Sequence, residues 1–549
     1  MTSHDNVNGP LHASSGPETF WSTTNVGEAF PGVLTPLGWS LCGPSVEVGI
    51  RDCYARVGAL PKSEVRVPDR VEDRLISVFY GRGALNVNFF CRMGSHLPGS
   101  APDAIARQFL GELPTDIPTH RKRRRLPIVV AKMAYTQATI RRDVLRRTAP
   151  VLPWWQRSMA ELDGLDLDGS RDLLVDAHAQ FKEMIRVQAA GLFVAVQSIY
   201  DQLLALIARS DLDAEQTSAL VSGHGSHVEM DMIYDLWALG HGQLEIDTFL
   251  TAHGYHGPLE GEVSSVVWRE DPTPVLQLAK QYGGLADELD PVDAAVARSH
   301  ARQQAERALI RSLPMRERPA AAFILRSAAS RIPLRGVAKA AFLQALDVAR
   351  GAARRMGAHL VSTGVLEDPE DVFYFTVEEL TGTLPDDAGN VARQRRAQRT
   401  AYETVTLPPH WRGTPVPISS GSVTQVAEER RVVEGIGASG GVVEGIVRVL
   451  DDPAFTDVTA DNEVLVCVTT DPSWAAVLFL AAALVIDVGG LLSHAAVVAR
   501  EAGVPCVIGT GDGSQILRTG DYVRVDGAAG TVEILERASQ SAHHEVVNA

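Results

Sequence analysis

The rhythm of hydrophobic and polar positions changes along this chain, and each change predicts a different kind of structure. From Glu18 to about Leu126, short apolar runs are broken by turn signals such as Pro31-Gly32, Thr35-Pro36 and Pro98-Gly99. From about Pro127 to Met356, apolar residues recur every three or four positions, most plainly over Ala177–Arg209 and Val292–Ser312. That period lines one face of a helix with apolar side chains, so long helices packed as a bundle are expected. A Gly-, His- and Pro-rich insert, 250–274, interrupts them. Beyond about Glu434 the pattern shortens to strand-like runs: Val447–Leu450, Glu463–Val468, Ala483–Ile486, and the pair Tyr522–Asp526 and Thr531–Leu535 around a Gly-rich turn.

Five segments follow from this pattern. Residues 1–17 and 538–549 are polar and read as disordered tails. Residues 18–380 form a large, mainly helical region, and 381–433 a connector with an Arg/Gln-rich helix and a Pro-rich extended piece. Residues 434–537 form a compact α/β domain of β/β/α type, about a hundred residues long and expected to stand as an independent module. The expected fold class is therefore multidomain α+β.

Composition narrows the function. The 549 residues are 45% hydrophobic and 21% charged, a globular balance. The net charge of −16 argues against nucleic acid or an anionic membrane as partner. One basic run, His120–Arg125, reads as a solvated loop or helix end. Five cysteines, none in a CxxC pair, point to reduced thiols rather than a disulfide framework or zinc site. The N-terminus has no apolar leader core, and the longest apolar run, Trp474–Ile486, has 13 residues, too few to span a bilayer. A cytoplasmic location is expected.

The chemistry concentrates in Gly489–Gly509, GGLLSHAAVVAREAGVPCVIG. A buried strand ends at Asp487, Gly489 and Gly490 allow a turn and close backbone approach, and Ser493 is a helix N-cap. Gly503 and Pro505 close the helix. His494 then stands in the first helical turn, where unpaired N–H groups and the positive end of the helix dipole favour an anion. A neutral imidazole there is a nucleophile toward phosphorus.

This stretch closely resembles the phosphohistidine swivelling domain of the phosphoenolpyruvate-synthase and pyruvate-phosphate-dikinase superfamily. The resemblance extends to Ala438–Gly445, Thr470–Trp474, Thr519–Asp521 and Val525–Gly527. It implies that His494 carries a phosphoryl group, with Gly489, Gly490 and Ser493 shaping its loop. Leu492 stands where many relatives have Thr, which bears on the subfamily and not the chemistry.

A weaker resemblance, to the substrate-binding region of rifampin-phosphotransferase-like enzymes, runs through Asn25, Glu28, Pro31-Gly32, Thr35-Pro36, Gly81–Asn86, Gly254–Glu260, Trp268, Glu270–Pro272 and Pro369–Leu380. Trp268 and Phe373 read as core residues. Arg335 and Lys339 share one helix face at i, i+4. The resemblance implies that they are catalytic and meet the incoming phosphoryl group, a role two cations suit. Relatives often have Glu after that Arg; here Gly336 takes its place, so another group serves or the reaction differs. His253, His256 and Glu260 are candidates for an acceptor pocket, with Asp231 a further candidate by residue type. His224 and His227 have the spacing of a metal pair without a third ligand and read as loop residues; no metal site is expected.

No ATP-grasp domain and no phosphoenolpyruvate-binding barrel are recognisable in the sequence. The first functional reading is the acceptor and carrier half of a dikinase-type phosphotransferase, loaded by a separate ATP-grasp subunit that would hold ATP and magnesium, and acting on a hydroxyl of a small organic molecule in a specialised pathway. A second is phosphate-free chemistry, such as dehydration, isomerisation or cyclisation, on the same scaffold. A third is a non-catalytic binding protein.

Overall fold

The computed structural model describes residues 9–23, 26–98, 102–110, 114, 125–222, 224, 227–418, 430–450, 462–470, 474–490 and 493–538. Most of the basic run 120–125, Asn25, Asp471–Ser473, Leu492 and the side chain of His227 lie outside these residues. The chain divides into two units: 1–199 with 261–265 and 334–419, and 200–260 with 266–333 and 420–549.

The first unit contains an antiparallel sheet of β1 (Phe20–Ser22), β2 (Ile76–Phe79), β3 (Arg82–Asn86) and β4 (His410–Arg412), in the order β2-β3-β1-β4. Between β2 and β3, Tyr80 and Gly81 both take positive φ, 48° and 73°, the backbone of a two-residue hairpin turn whose twist suits the strands it joins. A Cβ at Gly81 would sit 2.4 Å from Val33, so only glycine lets the turn lie on its neighbour. Trp21, Phe79 and Trp411 stack edge-on beneath the sheet.

The helices of this unit pack on one long element, Leu334–Ser362. It runs antiparallel to Leu167–Ala190: Phe181 meets Phe342 near the middle, and Arg355 reaches the Leu165 carbonyl at the far end. Inside lies a buried polar cluster. Arg350 pairs with Asp347 at 2.9 Å, Asp347 accepts the Trp155 indole N–H at 2.8 Å, and Arg350 also donates to the Glu262 carbonyl. The run Leu167–Ile207 is long and apolar enough to cross a membrane by length and composition, but half of its most apolar window is buried inside the protein.

One tail and one linker are more ordered than their composition suggests. Of the expected N-terminal tail, residues 9–17 are folded: Leu11 is buried and its carbonyl accepts from the Gly81 N–H. Of the expected connector, 381–418 belongs to the first unit. Its helix Ala388–Glu403 is pinned by Arg395 to Glu379 through two hydrogen bonds and by Arg396 to Asp371, and β4 pairs with β1. Residues 419–429 lie outside the described residues.

The second unit is built on an eight-stranded sheet. Its strands are β5 (Val432–Glu434), β6 (Ile436–Ser439), β7 (Val442–Val449), β8 (Glu463–Cys467), β9 (Ala483–Ile486), β10 (Cys506–Ile508), β11 (Tyr522–Asp526) and β12 (Thr531–Glu536), ordered β5-β12-β11-β7-β8-β9-β10-β6. β7, β8, β9 and β10 are parallel; the flanking pairs are antiparallel. Along the central strands the side chains alternate between two cores. Val464, Val466, Ala483, Val485 and Val507 enter one; Leu465, Cys467, Leu484, Ile486, Cys506 and Ile508 enter the other. Strands buried on both faces read as continuous apolar runs, which is how they appear in the sequence.

The second core changes the expected domain organisation. It also contains Met232, Ile233, Trp237, Trp268, Leu278 and Tyr282 from helices His227–Gly240 and Thr273–Tyr282 and the turn between them. Tyr282 donates its hydroxyl to the Ala476 carbonyl at 2.9 Å. The helices of 200–333, expected to belong with the rest of 18–380, thus group with the C-terminal α/β domain, which is not an isolated module in this structure.

Candidate functional site

His494 opens the helix His494–Ala502 just beyond the carboxyl end of β9, on the edge of a parallel sheet where loops gather polar groups. Ser493 is the N-cap, its Oγ accepting from the Ala496 N–H at 3.3 Å, and Gly503 ends the helix at φ 75°. The N–H groups of the first turn have no partner inside the helix and point toward the imidazole end. Nδ1 of His494 lies 3.4 Å from Oγ1 of Thr470, at the end of the β8 segment. His494 is fully buried (0% exposed).

The end of β9 before His494 is tied down by neighbours that the sequence did not single out. Asp487 is buried and accepts from the Thr510 hydroxyl at 2.6 Å and from the Ser514 N–H at 3.1 Å, which clamps the 509–514 loop against the end of β9. Ser493 N–H donates to the Gly490 carbonyl at 2.7 Å, closing the turn. A Cβ at Gly490 would meet nothing within 4 Å. The space beside this glycine is open, and Gly489 is half-buried.

Arg335 and Lys339 lie one turn apart near the start of Leu334–Ser362, both half-buried, with Gly336 buried between them. They belong to the first unit and His494 to the second.

The acceptor candidates sit on a turn of the second unit. Nδ1 of His256 lies 2.7 Å from Glu260 Oε2, with side chains 3% and 2% exposed. Nε2 of His253 lies 2.7 Å from Asp235 Oδ2, so the residue that sequence reasoning should have weighed is Asp235, one turn beyond the exposed Asp231. The turn is closed by the Trp268 N–H on the His256 carbonyl and the Arg269 N–H on the Gly254 carbonyl. Trp268 and Phe373 are both core residues, as expected. His224 is buried, its Nε2 donating to the Leu220 carbonyl at 2.8 Å, and burial first of all pulls its pKa down to about 4. Among the described residues no three His, Cys, Asp or Glu side chains converge as a metal-binding group.

The family model described as "PEP-utilising enzyme, mobile domain" matches residues 459–530, a span holding Thr470, Asp487 and His494. The C-terminal α/β domain thus matches the mobile domain of PEP-utilising enzymes over these residues. Residues 240–336 match the rifampicin phosphotransferase fourth domain. That match covers His253, His256, Glu260 and Arg335 and stops short of Lys339. It includes the helix Thr273–Tyr282, which shares a core with the C-terminal strands, but only the last residue of His227–Gly240. Among curated relatives, an uncharacterised protein of Mycobacterium tuberculosis strain H37Rv is 31% identical over 292 residues, 53% of this chain and 31% of that protein. The rifampicin phosphotransferase of Streptomyces sviceus is 40% identical over 185 residues, 32% of this chain and 20% of that enzyme. The rifampicin phosphotransferase of Bacillus subtilis is 33% identical over 177 residues, again 32% and 20%. The chain thus matches about a third or less of these relatives' lengths.

Proposed function

We propose that this chain is the carrier and acceptor part of a phosphotransferase, in which His494 takes a phosphoryl group and passes it to a hydroxyl of a small organic molecule. The observation that carries this reading is the placement of one histidine at the first turn of a capped helix in a PEP-utilising enzyme mobile domain. Backbone N–H groups there stabilise the negative charge of a phosphoimidazole. A proton on Nδ1 shared with Thr470 leaves the lone pair on Nε2, the nitrogen that attacks phosphorus. Resemblance to the rifampicin phosphotransferases supports Arg335 and Lys339 as the cations that meet the phosphoryl group in flight, and the two units then have to bring them to His494. On the acceptor side, His253, His256 and Glu260 are the candidate proton acceptors. The donor is an ATP-grasp module on a separate chain, which would hold ATP and magnesium.

One feature favours the phosphate-free alternative. With Gly336 beside Arg335, the helix offers no carboxylate at that position to take the acceptor proton. The test is incubation of the purified chain with labelled ATP, alone and with candidate ATP-grasp proteins, followed by detection of acid-labile phosphate. Label on His494 only in the presence of a partner is the expected result. Activity retained in full by His494→Ala would move the chemistry to the phosphate-free reading.

A further inference from the structure

A histidine that is fully buried cannot meet a donor, so the polar contacts that hold its helix in place bear on its use. The carrier helix His494–Ala502 lies against the helix Pro291–Ser312 within the second unit. Its last turn carries two adjacent buried charges, Arg500 and Glu501, 4% and 8% exposed. Arg500 donates from Nε to the Ala496 carbonyl at 2.7 Å and from Nη1 to the Tyr200 hydroxyl at 2.6 Å, and its guanidinium lies 5.7 Å from the Tyr200 ring. Glu501 accepts the backbone N–H of His224 at 3.2 Å and interacts electrostatically with Arg298 and Tyr234. The His224 ring in turn lies 3.4 Å from Arg302 Nη1 through Nδ1. Giving a proton to Leu220 and taking one from Arg302 requires a neutral ring, in keeping with its lowered pKa.

This socket is costly for a purely structural seam. Burying charges costs desolvation that their partners only partly return, and each charge is well hydrated once exposed. Nε and Nη2 of Arg298 and Nε of Arg302 are buried with no hydrogen-bond partner among the described residues. Unmet buried donors penalise the closed arrangement, and water removes that penalty on opening. An apolar seam would have neither property.

We infer that Arg500 and Glu501 form a latch, seated on Tyr200, His224, Arg298 and Arg302, that parks the carrier helix with His494 occluded and must open before His494 reacts. The inference rests on the assignment of His494 as the reactive residue. It assigns the segment 200–333 a second task beside any substrate binding, that of holding the mobile domain at rest.

The test uses the full chain and diethyl pyrocarbonate, with modification of each histidine read by peptide mass spectrometry. In the wild type His494 should react far more slowly than the exposed His410. Glu501→Gln and Tyr200→Phe should each raise the rate at His494 about tenfold, the scale of one hydrogen bond to a charged group, and leave buried His178 unchanged. An unchanged His494 rate in both variants overturns the latch. If His178 is also unmasked in Glu501→Gln, that variant has loosened the whole chain, and Tyr200→Phe, which removes one hydroxyl, decides in the same way. The readout needs no phosphoryl donor. Unchanged His494 reactivity together with normal phosphoryl loading sinks the latch alone, whereas ready unmasking with no loading by any donor sinks the carrier reading alone.

Discussion

Nδ1 of His494 and Oγ1 of Thr470 lie 3.4 Å apart, both buried. A Thr hydroxyl accepting the Nδ1 proton fixes the tautomer and leaves Nε2 as nucleophile. The phosphoryl group should therefore be found on Nε2, which phosphorus-31 and nitrogen-15 NMR of the loaded protein would show. Thr470→Val should slow loading about tenfold, the cost of one hydrogen bond, without unfolding the domain. Attachment at Nδ1 would refute this assignment.

Loading and transfer should separate genetically. His494→Ala should abolish both. Arg335→Ala combined with Lys339→Ala should leave loading intact and cut transfer to the acceptor by about a hundredfold or more, the scale of lost transition-state cations. Rapid-quench measurement of the two half-reactions checks this. Equal loss of both half-reactions in the double variant would mean that the two cations do not act at the transfer step.

Acid should destabilise the second unit before the carboxylates titrate fully. Above about pH 6.5 His224 is neutral whether folded or unfolded. Below that, the unfolded chain takes up a proton that the folded chain resists until its lowered pKa of about 4. Stability should thus fall as pH drops through this window, by roughly 3 kcal/mol at its lower end. His178 in the first unit, also lowered to about 4 by burial, acts in the same direction. Urea unfolding followed between pH 7 and pH 4 should show the loss, and His224→Gln should flatten it.

The buried cluster of Trp155, Asp347 and Arg350 should be intolerant of single changes. Asp347→Ala leaves the Arg350 charge and the Trp155 N–H buried without their carboxylate, a loss of about 3–5 kcal/mol. Denaturant midpoints of the first unit would record it. A change under about 1 kcal/mol would indicate that water reaches the cluster.

Local signals carried the reading of Gly489–Gly509. A Ser N-cap, a histidine at the first helical position, a Gly stop and a preceding apolar strand lie within two dozen consecutive residues and need no distant partner to be recognised. The helical period of 177–209 and 292–312 survives for the same reason: each helix satisfies its own backbone. The expected connector and N-terminal tail were harder to read. The polarity of 381–418 hides arginines whose partners, Glu379 and Asp371, pin the helix Ala388–Glu403, and the donor to the Leu11 carbonyl, the Gly81 N–H, comes 70 residues later.

By itself, the sequence determined the element types, the α/β character of the C-terminal domain and the position of His494 at a helix start, because these follow from period, capping and turn chemistry along a few residues. Only the tertiary structure decided which elements share a core. The central strands β8, β9 and β10 alternate strictly between two buried faces, but a one-dimensional pattern does not say what covers each face. Here the core on one face also takes in residues 227–282, far away in sequence: Trp237, Trp268 and Tyr282 join it, and the Tyr282 hydroxyl reaches the Ala476 carbonyl of the helix Ala475–Leu478. Tertiary packing also left His494 buried and set Arg500 and Glu501 against Tyr200 and His224, partners that no spacing along the chain could reveal.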